Sequence, residues 1–439
     1  MAVEIDTKIV DQVLNESEPT ESDDSIPNWI NIDFLEKHLQ NFFGDKPIAI
    51  VNFDVKPATA KGENYASYLY RVTVNYSDEL STCSASRRNS DFKLSTLNII
   101  IKTAVPGDFA FEAMSANDIY TKEIEFYKKI APKINEALEK LNESNQLIAT
   151  PYGVCIENNA ILFEDLSSKG YRIASVHRGL NFDEGKIVLK KAAMIHAIHA
   201  ILQQDDPHIF EHFKYGLMSR HTNVLDTFYV TQLNVMMEVV ATWPNSAYYI
   251  EKLERLRCNL MEKGAKAFDA EPNQFNTLIH GDMWVNNLMM KYANETTSIE
   301  NMIFIDFQYS CWTSPTIDLH YFFNNSLEES LRPSRFKELI VFYHGHLTDF
   351  LQRLKYKEQV PTLQEFHAQY LDKSFYGFIA SCLIQPLMIN EETAEADIEA
   401  LIVGDERSLK YKRLIYSSEK VRANLRKLIP IYDSMGIFD

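Results

Sequence analysis

Apolar positions fall into two regimes along the chain. Before residue 165 they come mostly in short runs; after about residue 183 they recur every three or four residues. Tyr70, Val72 and Val74 alternate with Arg71, Thr73 and Asn75, the period of a strand with one wet face. The runs Ile48 to Phe53, Tyr68 to Tyr76, Leu97 to Lys102 and Ala160 to Phe163 therefore predict strands. Ile32, Leu35 and Leu39 predict a short helix after Trp29. Ile119, Glu123, Phe126, Tyr127 and Ile130 predict another between the third and fourth strands. Apolar character stops at Glu164-Asp165-Leu166, which suits a hinge. Beyond it, Leu189, Ala192, Ala193, His196 and Ala200 share one face of a helix over Asp183 to Leu202. Further helices are predicted over Phe228 to Trp243 and Tyr249 to Ala267, then from Phe336 to Leu354 with Pro333 near its start. Another starts at Thr362, whose Glu365 completes a capping box, and helices continue to Leu428. Two apolar runs, Leu278-Ile279 and Ile303 to Ile305, interrupt this region as strands. The expected architecture is α+β and two-lobed: a β-rich N-lobe over 26–164 and a large helical C-lobe over 165–439.

Composition sharpens the picture. The 439 residues are 46% hydrophobic, 12% aromatic and 24% charged, as expected of a globular protein with a sizeable core. The net charge of −17 argues against nucleic acid or an anionic membrane as main partner. Residues 1–25 hold eight of the acids against one lysine and read as an acidic flexible tail. The segment from Asp78 to Phe92, polar and Ser-rich, reads as an exposed loop. Cys83, Cys155, Cys258, Cys311 and Cys382 are odd in number and scattered, which fits reduced thiols better than a disulfide frame or zinc site. No signal peptide and no 18-residue apolar run is visible, so no membrane span is expected and the cytoplasm is the expected compartment. Nothing points to an obligate protein partner.

Chemistry concentrates in the stretch His280-Gly281-Asp282-Met283-Trp284-Val285-Asn286-Asn287 and in Asp306-Phe307-Gln308 after the next apolar run. The spacing His-x-Asp-x-x-x-x-Asn followed by Asp-Phe is that of a kinase catalytic loop and metal loop. In such loops one Asp faces a substrate hydroxyl, while the Asn and the second Asp hold magnesium at the phosphates. The competing reading is a β-hairpin with a polar tip. Lys102 ends a β-branched strand and Glu123 lies on an apolar helix flank, where a carboxylate needs a cation. The two are natural partners, although an edge lysine that simply ends its strand is the alternative. His196, on an apolar helix face, reads as a core histidine bracing the loop rather than as a chemical group.

With these residues in view, the chain resembles the ecdysteroid kinase-like family. These are insect-type small-molecule kinases related to choline kinase and aminoglycoside phosphotransferase within the protein-kinase-like fold. The resemblance runs from Ile26 onward. It rests most on His280-Gly281-Asp282-x-Trp284-x-x-Asn287 and Asp306-Phe307-Gln308, and less on Gly62-x-Asn64-Tyr65-x-Ser67 and Ile101-Lys102-Thr103. Trp284 and Gln308 separate it from protein kinases, which have Arg at the Gly281 place and Gly at the Gln308 place. The resemblance implies ATP and Mg²⁺ as cofactors. Lys102, held by Glu123, would meet the α- and β-phosphates, and Asn64 and Ser67 would cradle phosphate in place of a Gly-rich loop. Backbone from Glu164 to Leu166 would hydrogen-bond adenine. Asp282 would act on the acceptor hydroxyl, Asn287 and Asp306 would bind metal, and Asp318 would brace the loop. The implied acceptor is a small lipophilic alcohol, ecdysteroid-like or xenobiotic. A choline- or ethanolamine-type kinase and a catalytically weak nucleotide-binding scaffold (a pseudokinase) are the alternatives.

Overall fold

The computed structural model describes residues 26–44, 46, 48–58, 67–77, 94–104, 115, 118–293, 298–391 and 398–439. The acidic segment 1–25, Cys83 with the loop around it, and the turn carrying Gly62, Asn64 and Tyr65 lie outside the described residues.

The first part is a sheet with helices beside it. Helix α1 (Ile32–Phe43) starts at Asn31, whose side chain accepts from the Phe34 amide at 3.0 Å. Strands β1 (Ala49–Pro57), β2 (Tyr68–Ser77) and β3 (Ser95–Thr103) follow. Helix α2 (Ile119–Glu125) passes through a π-helical turn, Phe126–Ile130, into α3 (Ala131–Leu141). Strands β4 (Pro151–Cys155) and β5 (Ala160–Glu164) complete an antiparallel sheet of order β1-β2-β3-β5-β4. The two-residue period of β3 divides its side chains between two faces. Ile99 and Ile101 enter a core with Leu35 and Leu39 of α1. Ile100 packs on the other side with Ile161 and Phe163, and Lys102, sharing its parity, is turned toward α2. Burial of one strand face thus aims the lysine at the cleft.

Asp165 caps a short 3₁₀ turn, Leu166–Lys169, which leads to β6 (Tyr171–Ile173). Helix α4 (Phe182–Asp205) opens with a capping box between Asn181 and Glu184. Helices α5 (Asp226–Val240), α6 (Ser246–Arg257) and α7 (Leu260–Ala267) come next. The single helix expected over Tyr249 to Ala267 is therefore broken, at Cys258-Asn259. Asn259 leaves helical geometry at φ −132°, and asparagine competes poorly for a helix interior.

Strands β7 (Thr277–Ile279), β8 (Leu288–Tyr292), β9 (Ile299–Phe304) and β10 (Cys311–Thr313) carry the polar loops. β7 pairs with β10, whereas β8 pairs with β9 and β6. The stretch 280–287 is consequently not the tip of a hairpin; it crosses from one small sheet to another.

The remainder is helical: α8 (Thr316–Asn325), α9 (Phe336–Arg353) and α10 (Leu363–Asp372), which has the Thr362–Glu365 capping box. Then α11 (Ser374–Phe378) runs through a π turn into α12 (Gln385–Met388), followed by α13 (Ile398–Ile402), α14 (Glu406–Ser417) and α15 (Glu419–Ser434). The last helix passes Pro430 and extends beyond the expected end at Leu428.

Two apolar cores meet at the polar loops. One joins α3, α4 and α9 to β8 and β9; the other joins α5 and α6 to α11, α14 and α15. Trp284 packs against both. No helix among the described residues is long and apolar enough to cross a membrane.

Candidate active site

The loop between β7 and β8 is held from behind. Asp318, on α8 and fully buried, accepts from the His280 amide at 2.8 Å, the Gly281 amide at 2.9 Å and His196 Nε2 at 3.1 Å. The other ring nitrogen of His196 lies 2.7 Å from the Tyr343 hydroxyl, tying α4 and α9 into the same brace. Burial alone would raise the Asp318 pKa, but its bonds with His196 and the loop amides outweigh that and hold it below the usual range. Gly281 sits at φ +83°, and a Cβ there would lie 2.1 Å from the Tyr309 carbonyl oxygen. Only glycine fits between these two loops.

Past Gly281 the chain presents Asp282, which stays partly exposed. A 3₁₀ turn, Val285–Asn287, brings Asn287 back beneath it. Asn287 Nδ2 donates to the Asp282 carbonyl and to Asp282 Oδ2, both at 2.9 Å. Both amide hydrogens are thereby used, leaving Oδ1 as the polar atom available to a cation. Tyr321, from α8, also interacts with the Asp282 carboxylate. Burial pushes the Asp282 pKa up to about 6, against the Tyr321 and Asn287 bonds, and the Asp306 charge adds to the rise.

The second loop is joined to the first. The Ile305 amide donates to the Asn287 carbonyl at 3.1 Å, and His280 Nε2 lies 2.9 Å from the Ile305 carbonyl. Asp306 then takes a left-handed backbone, φ +68°, which is uncommon outside glycine and asparagine and turns its side chain away from the strand direction. Phe307 stacks on Phe126 at 3.8 Å between ring centroids and 9° between planes. Phe126 is one helical turn beyond Glu123, so the helix that carries Glu123 also seats the Asp306 loop.

Lys102 bridges the two lobes. Its Nζ lies 2.7 Å from Glu123 Oε2 and 2.8 Å from Asp306 Oδ1. Burial alone would lower the lysine's pKa, but the two carboxylates outweigh it and keep the ammonium charged. Burial raises the Glu123 pKa against the pull of Lys102. Ser67, Lys102 and Glu123 line one small cavity with Tyr120, Asn159 and Ile161. Its volume of about 10 Å³ is room for a single water. The neighbouring residue Lys122 turns the other way and donates to the Tyr215 carbonyl at 2.6 Å, fastening α2 to the helical lobe.

At the hinge, Glu164 plays a structural part through its side chain. It is buried and accepts from the Thr150 amide at 2.7 Å, and Gln146 and Lys169 also reach it. The Glu164 amide donates to the Thr150 carbonyl at 3.1 Å and the Asp165 amide to the Asn98 carbonyl at 3.0 Å. Neither amide is free for a base, which narrows the hinge donors to Leu166, at the start of the 3₁₀ turn. Leu166 is itself buried.

The structure thus brings Lys102, Glu123 and Asp306 into one ion cluster and Asp282 with Asn287 into one hydrogen-bonded pair, while Asn64 lies outside the described residues. Tyr321 escaped the sequence reading. Its position three residues after Asp318, on the same helix face, was the available signal. His280 heads the motif but has no role assigned from sequence; its buried side chain ties the two loops.

The donor set suits magnesium, a hard cation that prefers oxygen ligands and keeps several waters. Asn287 has its Oδ1 to offer, and the Asp306 side chain remains 21% exposed.

Comparison with known proteins adds one match. The model of the ecdysteroid kinase-like family covers residues 61–356, more than half of the chain and all of the residues just described. No curated protein matches the chain.

Proposed function

The chain belongs to the ecdysteroid kinase-like family, with the α+β kinase-like fold, and we propose that it is an ATP- and Mg²⁺-dependent phosphotransferase acting on a hydroxyl of a small lipophilic alcohol. The observation that carries the reading is the contact set across the cleft. Lys102 joins Glu123 to Asp306, and Asn287 turns its two amide hydrogens to Asp282 and its oxygen elsewhere. A protein that bound no nucleotide would have no need for three acids and a lysine arranged in this way.

Phosphoryl transfer asks the protein mainly for positioning and counter-charge. Lys102, kept charged by its two carboxylates, would meet the phosphates of ATP at the mouth of the sheet. Magnesium, when bound, would supply the divalent charge that an acidic protein of net charge −17 otherwise lacks here. Asn287 Oδ1 and Asp306 would hold it. Asp282, with a pKa near 6, is largely ionised at neutral pH and could take the proton of the acceptor hydroxyl. The acceptor oxygen would form its bond to the γ-phosphorus as the bond to the β–γ bridging oxygen breaks, leaving ADP.

An apolar acceptor is supported by what surrounds Asp282. Trp284, two residues away, is only partly buried and packs against both apolar cores, an aromatic surface beside the carboxylate.

Thermal unfolding with and without Mg-ATP, followed by a mass-spectrometric search of an extract for a phosphorylated product, tests the reading. A rise in melting temperature and a product 80 Da heavier than an alcohol in the extract are expected. Stabilisation by Mg-ATP with no phosphorylated product across a wide alcohol panel would assign the chain to the nucleotide-binding scaffolds instead.

A further inference from the structure

Lys122 and Glu123 are neighbours on α2, and successive helical positions point about 100° apart. Glu123 turns to β3 and meets Lys102 Nζ at 2.7 Å, whereas Lys122 turns to the helical lobe and donates to the Tyr215 carbonyl at 2.6 Å. Lys122 is as deeply buried as its neighbour. Among the described residues its ammonium has this one acceptor and forms no ion pair with a carboxylate. A buried charge with so little compensation costs more than an apolar side chain of the same length would. Apolar contact exists here already, since Ile119 and Tyr120 pack against Leu225 and Tyr309. What the bond adds is direction, because apolar packing is non-directional.

The acceptor belongs to a segment held in place from the other side. The Trp312 amide donates to the Phe213 carbonyl at 2.7 Å, joining that segment to β10, and β10 pairs with β7, the strand that leads into the Asp282 loop. A Cβ at Gly216 would lie 2.3 Å from a Phe268 ring carbon and 2.9 Å from the Cys311 sulfur, so the backbone there is seated against both. Helix α2, by contrast, has seven residues, and its N-cap, Asp118, makes no side-chain cap bond. So short a helix takes its position from its contacts.

We infer that Lys122 is a positioning residue for the nucleotide: by tying α2 to the Tyr215 carbonyl it sets the place from which Glu123 holds Lys102. The inference rests on the proposed phosphotransferase function. With the tie made, Lys102 is shared between Glu123 and Asp306. Without it, α2 keeps its apolar contacts but can slide, Glu123 draws back, and Lys102 engages Asp306 alone. That pairing takes the cation from the phosphates and occupies a carboxylate proposed for the metal. The loss would therefore fall on Mg-ATP affinity.

The test uses the full chain with Mg-ATP as probe, and reads calorimetric affinity beside thermal unfolding without ligand. Lys122→Met keeps the length of the side chain and removes the ammonium. It is expected to weaken Mg-ATP binding about tenfold, the scale of one hydrogen bond to a charged group. Tm without ligand should not fall, because the variant relieves a buried charge and Tyr215 is exposed enough for water to take its carbonyl. In a Glu123→Gln background the same substitution should weaken binding no further, since Lys122 acts through Glu123. Undiminished affinity in Lys122→Met, or an equal loss in both backgrounds, overturns the inference. Hydrogen exchange in the parent requires no variant. Mg-ATP should slow amide exchange in Ile119–Glu125 and, through the tie, in residues 213–217; protection confined to α2 overturns the inference as well. A parent whose affinity and exchange show no response to Mg-ATP defeats the phosphotransferase reading, and the positioning role with it. A parent that binds Mg-ATP no more tightly than Lys122→Met does defeats the positioning role alone.

Discussion

Asp282 and Asp318 serve the same loop from opposite sides, and they are held in opposite ways. Asp318 has no contact with solvent and three donors, two of them backbone amides of the loop itself. Its pKa is pulled down, so folding is stabilised by its charge. Asp282 stands partly open at the cleft with a side-chain amide and a phenol, and its pKa is pushed up to about 6. Its charge works against folding. The contrast separates a carboxylate that builds the site from one left under-satisfied, which suits the proton-acceptor role proposed for it.

The largest expected break in that contrast is on turnover. Asp282→Asn should lower kcat by about 10²–10⁴-fold while leaving the affinity for Mg-ATP nearly intact, as steady-state kinetics and calorimetry would reveal. Wild-type turnover in this variant would remove Asp282 from the reaction. Asp318→Ala should act on the fold instead. It strands the buried His280 and Gly281 amides and His196, so a loss of about 3–5 kcal/mol in denaturant unfolding is expected. A loss below 1 kcal/mol would mean the brace is not needed.

Asp306→Ala probes the boundary between the two roles, since Asp306 faces both Lys102 and the cleft. It should weaken Mg-ATP binding about 10- to 100-fold in a titration at fixed ATP, and an unchanged magnesium dependence would count against Asp306 as a ligand. The smallest effects come from pH. The acid limb of kcat/KM should fall about tenfold per unit below a midpoint near pH 6. Stability moves the other way. A carboxyl whose pKa is raised from 3.8 to about 6 binds more protons in the folded state between those values, so its contribution to stability declines as pH rises through that window. Asp282→Asn should therefore stabilise the protein by roughly 1–3 kcal/mol at pH 7 and by little at pH 4. Asp318→Ala should gain nothing at either pH.

Parts of this arrangement were legible from residue order because they depend on local periods. The alternation in β2, the parity that sets Lys102 apart from Ile99 and Ile101, and the Thr362–Glu365 capping box are all decided within a few residues. What was not legible depends on distant pairing. β10 is three residues long, and only its register with β7 reveals why Tyr309 must run beside Gly281. The broken helix at Cys258-Asn259 turns on one asparagine, whose weak helix preference is masked by the apolar period on either side of it. Tyr321 was missed for a related reason. Nothing in a run of Tyr321-Phe322-Phe323 distinguishes a ring buried for its area from one that also interacts with a carboxylate.

The close approach of Gly281 to the Tyr309 carbonyl also constrains how this site could have diverged. Because a Cβ at 281 would fall 2.1 Å from that oxygen, the residue at 281 and the path of the chain after Asp306 cannot change independently. A lineage that acquires a larger side chain at the first position must already have rerouted the second loop, and one that reroutes the second loop first opens a gap beside the glycine. The two segments are sterically coupled. An exchange of either one between members of the family should fail unless both are transplanted together.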